Sequence, residues 1–346
     1  MTLPIPLDYA PMEAKSVASL PEGDAWQYEP KWDGFRCLAF KDAADVHLRS
    51  KSGQPFERYF PEIVAAVADL PATRFVLDGE LVVPEGDALS FDQLLMRIHP
   101  AESRVRKLAH EHPARYVAFD LLVDANGRSL VDLPLAKRRD ALERFAARGF
   151  AEAPAFRLSP ATRSRADVER WLATSGDGID GIVAKRLDAA YRSGDRAGMQ
   201  KYKRVRTADC VVGGFRYGSK TRVVGSLLLG LYDDEGLLHH VGFTSNIPNA
   251  EKPAVTKRLE ALVKAPGFTG QAPGGPSRWS TARSAEWQPL APKLVVEVQY
   301  DHFSGGRFRH GTSFLRWRPD KPPRRCTMAQ VEQEGRSAMK LLGRGG

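Results

Sequence analysis

The amino-acid sequence predicts an α+β chain in two parts, residues 1–206 with mixed and antiparallel sheet and flanking helices, and residues 207–346 forming a small β-barrel of OB-fold type. Three observations support this. At 346 residues the chain exceeds what one hydrophobic core usually organises. Strand-period and helix-period segments alternate up to about Arg206. From Thr207 onward the pattern becomes short strands joined by tight turns, with a single helix among them.

The elements follow in order. WQYEP, FRCLAF, DVHLR and RFVLDGELVV, between Trp26 and about Val83, alternate apolar runs with turns and read as strands. Residues 61–70 have helical spacing with Pro61 at the start, and residues 91–98 form a short amphipathic helix opening after Ser90 as N-cap. Residues 115–123 (RYVAFDLLV) read as a buried strand, 135–147 as a charged amphipathic helix, and 164–175 as another helix ending in a Gly/Asp-rich turn. GIVAKR and MQKYKR complete the first part as strands. In the second part DCVVGGFRYG, GSLLLGLYDDEGLLHHVGF and KLVVEVQY read as strands, residues 253–264 as the helix, and residues 267–276 as a Gly/Pro-rich surface loop.

Composition narrows the function. Hydrophobic content of 42% with 27% charged residues is that of a globular chain. Lys and Arg exceed Asp and Glu by 51 to 42, a net charge of +9, which suits a polyanionic partner such as nucleic acid. Cys37, Cys210 and Cys326 are far apart and odd in number, which indicates neither a disulfide framework nor a zinc site and fits a reducing cytosol. The N-terminus has no basic segment followed by an apolar run, and nowhere do 18 apolar residues follow one another, so neither export nor membrane insertion is expected.

The sharpest signal is EPKWDGFR, where Lys31 stands between a strand and a turn with Asp33, Gly34 and Arg36 close by. A β-turn using Asp-Gly for positive φ would explain the dipeptide alone. A lysine amine becomes a covalent nucleophile when neighbouring cations, including a bound metal, lower its pKa. Attack on phosphorus then requires carboxylates for a divalent metal, cations for the phosphates and an aromatic face for a base. All of these residue types occur downstream in strand-like settings.

Seven segments, in order, resemble the motifs of the covalent nucleotidyltransferases, the superfamily of DNA ligases, RNA ligases and mRNA capping enzymes. The resemblance spans about residues 8–330 and implies an ATP-grasp-like nucleotidyltransferase domain followed by an OB-fold. EPKWDGFR resembles the nucleotide-accepting motif, with Lys31 as the site of AMP attachment, Glu29 at the adenine, Arg36 in the ATP site and Asp33 acting near the nick. LRSKSG resembles the next, where Lys51 stands in place of the usual Arg and Arg49 lies two residues earlier, both as candidate DNA-phosphate contacts. LDGELV resembles the third, with Glu80 at the ribose hydroxyls and as a metal ligand, and Asp78 in support. FDLL places Phe119 as the base-stacking aromatic, with Asp120 beside it. DGIVAKR keeps Lys185 for ATP and puts Asp180, where Glu is usual, as a metal ligand, with Asp177 as rival. MQKYKRV offers Lys201 and Lys203 on one face of a strand at the α-phosphate. RHGTSFLRWRPDK resembles the sixth motif, with Arg318, Asp320 and Lys321 orienting pyrophosphate.

The resemblance implies an ATP-dependent DNA ligase of the bacterial ligase C or ligase D-module type, using Mg²⁺ or Mn²⁺. Nicked or broken duplex DNA is the expected substrate, in repair or end joining, with DNA repair proteins as partners, no membrane, a monomer, and the bacterial cytosol as location. The segment 201–222 carries seven Lys/Arg against one acidic residue, Asp209, and suggests a duplex-binding surface at the domain junction. The Arg-rich segment 87–107 is a candidate inserted loop for holding DNA. The rivals are a capping guanylyltransferase, against which Glu29 argues, an RNA ligase, and a binding module that has lost catalysis.

Overall fold

The computed structural model describes residues 2–174, 179–219, 221–274, 286–309, 311–331 and 338–342. Asp177, Lys220 and the end of the 267–276 loop lie outside these residues. The chain divides into two compact units, Met1–Arg204 with Glu334–Gly346, and Val205–Gln333. The return of the C-terminal stretch to the first unit is not anticipated by a boundary at 206. Its short helix Ala338–Leu342 packs on Ala88–Leu89 and buries Leu342.

Two larger sheets build the first unit, beside the short ribbon Pro84–Glu85 with Ala88–Leu89. One has the strand order Asp45–Ser50, Phe35–Asp42, Arg74–Val82, Arg115–Val123, Phe156–Leu158, antiparallel except for the last pair. The other runs Lys15–Val17, Met199–Lys203, Ile179–Arg186, Trp26–Trp32, antiparallel except for the first pair. Strand period decides what each face carries. In the second sheet Tyr28, Trp32, Ile182 and Ala184 enter one core with Val168 and Trp171 of the helix Arg165–Thr174. The intervening residues, among them Glu29, Lys31, Val183 and Lys185, therefore face the other way. In the first sheet Cys37, Ala39, Leu77, Tyr116 and Ala118 pack against the helices Pro61–Asp69 and Leu135–Gly149. The fully buried Ile63 and Val67 of the former helix each contribute about 1.5–3 kcal/mol.

The helix Phe91–Met96 starts at Ser90, whose Oγ accepts from Gln93 N at 3.4 Å. After that helix, segment 87–107 is loop only at residues 97–101. Residues from Glu102 form the helix Glu102–Glu111, and Arg97 is fully buried, bonded to Glu62 Oε2 at 2.7 Å and Tyr59 O at 2.9 Å. That arginine serves the core. On the helix, Arg106 and Lys107 stay exposed and pair along it with Glu102 and Glu111.

In the second unit the main path of strands is Leu238–Thr244, Val224–Tyr232, Arg206–Tyr217, Val295–Tyr300, Ser313–Trp317. Cys210, Val212, Phe215, Leu227, Leu229 and Val296 form its core, capped by Val255 and Leu259 of the helix Lys252–Glu260. The sheet is open, not the closed barrel expected from the strand pattern. Closure needs a ladder between the outer strands. Among the described residues those strands are linked by a single bridge, Thr244 to Thr312, whose hydroxyls bond across to Thr312 O at 2.9 Å and Phe243 O at 3.1 Å. The basic segment at the junction is likewise mostly strand, because Arg206–Tyr217 is the central strand of this sheet.

Candidate active site

The two larger sheets of the first unit frame a cleft of about 240 Å³. The strand Trp26–Trp32 is held by Trp32, whose Nε1 donates to Ser159 Oγ at 2.9 Å, and this turns Glu29 and Lys31 into the cleft. Lys185 enters beside Glu29 and Lys201 from the strand beyond, while Arg36, Glu80 and Phe119 come from the facing sheet. Lys51 and the segment Pro11–Ala14 complete the lining.

Charges pair across these walls. Lys185 Nζ lies 2.7 Å from Glu29 Oε2, and Gln27 Nε2 donates to Glu29 Oε1 at 2.8 Å. Arg36 donates twice to the buried Asp78, at 2.6 Å each, and once to Met12 O at 3.2 Å. The Phe119 ring has Arg36 and Lys185 each 4.6 Å from its centroid. Lys31 Nζ is bonded to Asp180 Oδ2. A bulge between Ile179 and Gly181 interrupts the ladder at Asp180 and re-aims its side chain.

Two titrations mark the cleft. Burial pushes the Glu80 carboxyl up to about 8, reinforced by Asp78 and Asp33 and opposed by Arg36 and Lys31. Burial, followed by Lys31, Lys51 and Lys203, lowers the Lys201 ammonium, with Glu13 opposing. Lys31, Lys51 and Lys201 thus share the cleft with Lys203 close by, an arrangement that an anion relieves. Lys201 lines the cleft, and Lys203, two residues on and on the same face, is exposed.

Other expected residues go elsewhere. Arg49 pairs with Glu57 and does not line the cleft, whereas Lys51 does, bonded to Glu13 Oε2 at 3.0 Å. Asp120 belongs to the scaffold and takes two bonds from the buried Arg138, at 2.9 and 3.0 Å. Asp33 and Asp180 bring carboxylate oxygens within 4.8 Å of each other, and Glu80, expected as the second metal ligand, is not in that group. In the second unit Arg318 and Lys321 gather on Asp209, at 2.8 and 3.3 Å, and Arg318 also holds Asp320, whose carboxyl is lowered to about 2 mainly by that hydrogen bond. Sequence reasoning passed over Met12, Glu13 and Tyr191, because a segment such as APMEAK carries neither period nor motif.

A family model described as ATP dependent DNA ligase domain matches residues 11–203, and one described as ATP dependent DNA ligase C terminal region matches residues 220–321. The chain belongs to the ATP-dependent DNA ligases. DNA ligase C2 of Mycolicibacterium smegmatis is 43% identical to this ligase over 359 residues, covering 98% of each chain. The multifunctional non-homologous end joining protein LigD of Mycobacterium bovis is 32% identical over 321 residues, covering 91% of this chain and 39% of that longer one. A solved Lig E DNA ligase shares the fold, with a TM-score of 0.54 at 18% identity over 89% of this ligase and 99% of that chain. The activity is ATP-dependent joining of DNA ends.

Proposed function

We propose that Lys31 takes AMP from ATP and passes it to a DNA 5′-phosphate, which the 3′-hydroxyl then attacks with release of AMP. The observation that carries this is the placement of the Lys31 amine in a cleft with Lys201 and Lys51 on one side and Glu29, Lys185 and Phe119 on the other. The lysines meet the phosphates, and the Phe119 side offers a π-face and hydrogen-bonding groups to a base. Glu80 serves the ribose hydroxyls, and Arg36 serves the nucleotide from its seat on Asp78. Lys203 extends the phosphate contacts outward, and Asp33 acts near the nick.

Before the first step Lys31 must lose its proton, and its Nζ is hydrogen-bonded to the Asp180 carboxylate. Asp180 with Asp33 presents hard oxygens suited to Mg²⁺ or Mn²⁺. A divalent ion there supplies positive charge that favours the neutral amine and screens the α-phosphate. The motif resemblance of Arg318 and Lys321 supports a role in orienting pyrophosphate, and Arg49 is left as a contact to DNA phosphate outside the cleft.

A role in repair by end joining is supported by the likeness to LigD, and recruitment by other repair proteins and work in the bacterial cytosol go with that reading. The chain acts as a monomer on duplex DNA in this reading.

The test is transfer of label from α-³²P-ATP to the protein, with labelled GTP in parallel, for native protein and Lys31→Ala on a denaturing gel. Acid-labile label from ATP alone, absent in Lys31→Ala, is the expected result. Label retained in Lys31→Ala, after pyrophosphate treatment to discharge AMP already bound, would overturn the assignment.

A further inference from the structure

One wall of the cleft is the segment Pro11–Ala14, which has few regular backbone partners of its own and is held from the side. Met12 N donates to the Tyr191 hydroxyl at 2.9 Å, and the same hydroxyl donates to Asp78 Oδ2 at 2.6 Å. Asp78 in turn receives both bonds from Arg36, and Arg36 closes the circuit on Met12 O at 3.2 Å. Tyr191 is 1% exposed, on the connection between Ile179–Arg186 and Met199–Lys203, and Asp78 is on the facing sheet. One phenol therefore ties the N-terminal wall to both sheets that frame the cleft. Arg138, 5.5 Å from the ring centroid, and Tyr9, stacked at 6.2 Å, hold the ring in place.

The next residue extends the clamp to the phosphate end. Glu13 N donates to Asp195 O at 2.8 Å, and Glu13 Oε2 receives Lys51 Nζ at 3.0 Å and Arg196 at 2.9 Å. Lys51 is thus posed by a wall that Tyr191 positions. We propose that Tyr191 is a positioning residue for nucleotide acceptance, its hydroxyl setting the wall Pro11–Ala14 and, through Glu13, the Lys51 cation for the triphosphate of ATP. This rests on the assignment of Lys31 as the acceptor. The ring contributes packing, and the hydroxyl alone contributes the tie, so Tyr191→Phe separates the two.

The experiment follows self-adenylylation of the full chain against ATP concentration, and separately the sealing of a nick that already carries 5′-adenylate, a step that needs no ATP. Tyr191→Phe is expected to raise the ATP concentration for half-maximal labelling about tenfold, the scale of one lost hydrogen-bond partner, with the same final labelled fraction. Sealing of the adenylylated nick is expected to fall far less. Glu13→Gln, at a partly exposed site, is expected to shift the ATP dependence in the same direction. Native ATP dependence in Tyr191→Phe sinks the clamp, and so does an equal loss in both assays, which marks a merely structural role. Should Tyr191→Phe fail to fold, Glu13→Gln decides, native ATP dependence there overturning the proposal. Native protein that takes no label removes the Lys31 assignment and the clamp with it, whereas labelled native protein with unaltered variants removes the clamp alone.

Discussion

Gly34 shows how a motif residue is explained by its surroundings. A Cβ at this position would lie 2.2 Å from Leu81 O and 2.8 Å from Glu80 Cγ, and its φ is not among the positive ones. The glycine next to Asp33 is thus a close-approach residue and not the positive-φ turn that Asp-Gly suggests on its own. Gly34→Ala is expected to lower stability by about 1–3 kcal/mol through overpacking, read from urea unfolding, and to disturb Glu80. The Glu80 carboxyl adds a pH signature. Its pKa in the folded chain is raised from 4.5 to about 8, so the stability it contributes is fully present below about 4.5 and is lost as pH rises through about 8. Melting temperature measured from pH 5 to 8.5 should fall more steeply for native protein than for Glu80→Gln, and parallel curves would refute the shift.

At the scale of elements, ion pairs and bulges set where strands aim their side chains. The strand Arg115–Val123 carries Phe119 at the cleft, and the next residue, Asp120, is bonded to Arg138 of the helix Leu135–Gly149. Both partners of that ion pair are nearly inaccessible, at 3% and 4% side-chain exposure. Arg138→Met strands a buried carboxylate and is expected to cost about 3–5 kcal/mol, while adding Asp120→Asn recovers part of it in a double-mutant cycle. The strand Ile179–Arg186 owes the aim of Asp180 to its bulge. Gly181 there has φ +150°, and a Cβ on it would meet Tyr202 O at 2.0 Å, so the strand accepts no side chain at that point.

For the whole molecule, a basic chain of two units points to electrostatic capture of duplex. With Z phosphates neutralised, affinity falls as roughly the 0.9Z power of salt. Binding to nicked duplex is expected to weaken at least about tenfold between 50 and 200 mM salt, measured by fluorescence anisotropy, while the extent of self-adenylylation changes little. A flat salt response would count against phosphate capture. Arg318→Ala is expected to lose label from ATP and keep sealing of a pre-adenylylated nick, which would place the second unit's sixth motif in the first step.

What the sequence by itself determined is the longer strands, the motif order and the cleft residues that the motifs carry, whereas the strands Lys15–Val17, Phe156–Leu158 and Ser313–Trp317 were not read from it. The period of a strand fixes which alternate residues share a face, so Glu29 with Lys31, and Lys201 with Lys203, could be grouped from spacing alone. The helix Leu135–Gly149 and the strand Arg115–Val123 were readable for the same reason, each having an uninterrupted period. Tertiary structure alone decided the rest. It chose Lys51 over Arg49 for the cleft, set Asp33 rather than Glu80 beside Asp180, left the second sheet open, and made a wall of Pro11–Ala14 through Tyr191, 179 positions from Met12. Each of these depends on which distant backbone comes within hydrogen-bond reach, and that distance is a property of packing between elements that local spacing does not contain.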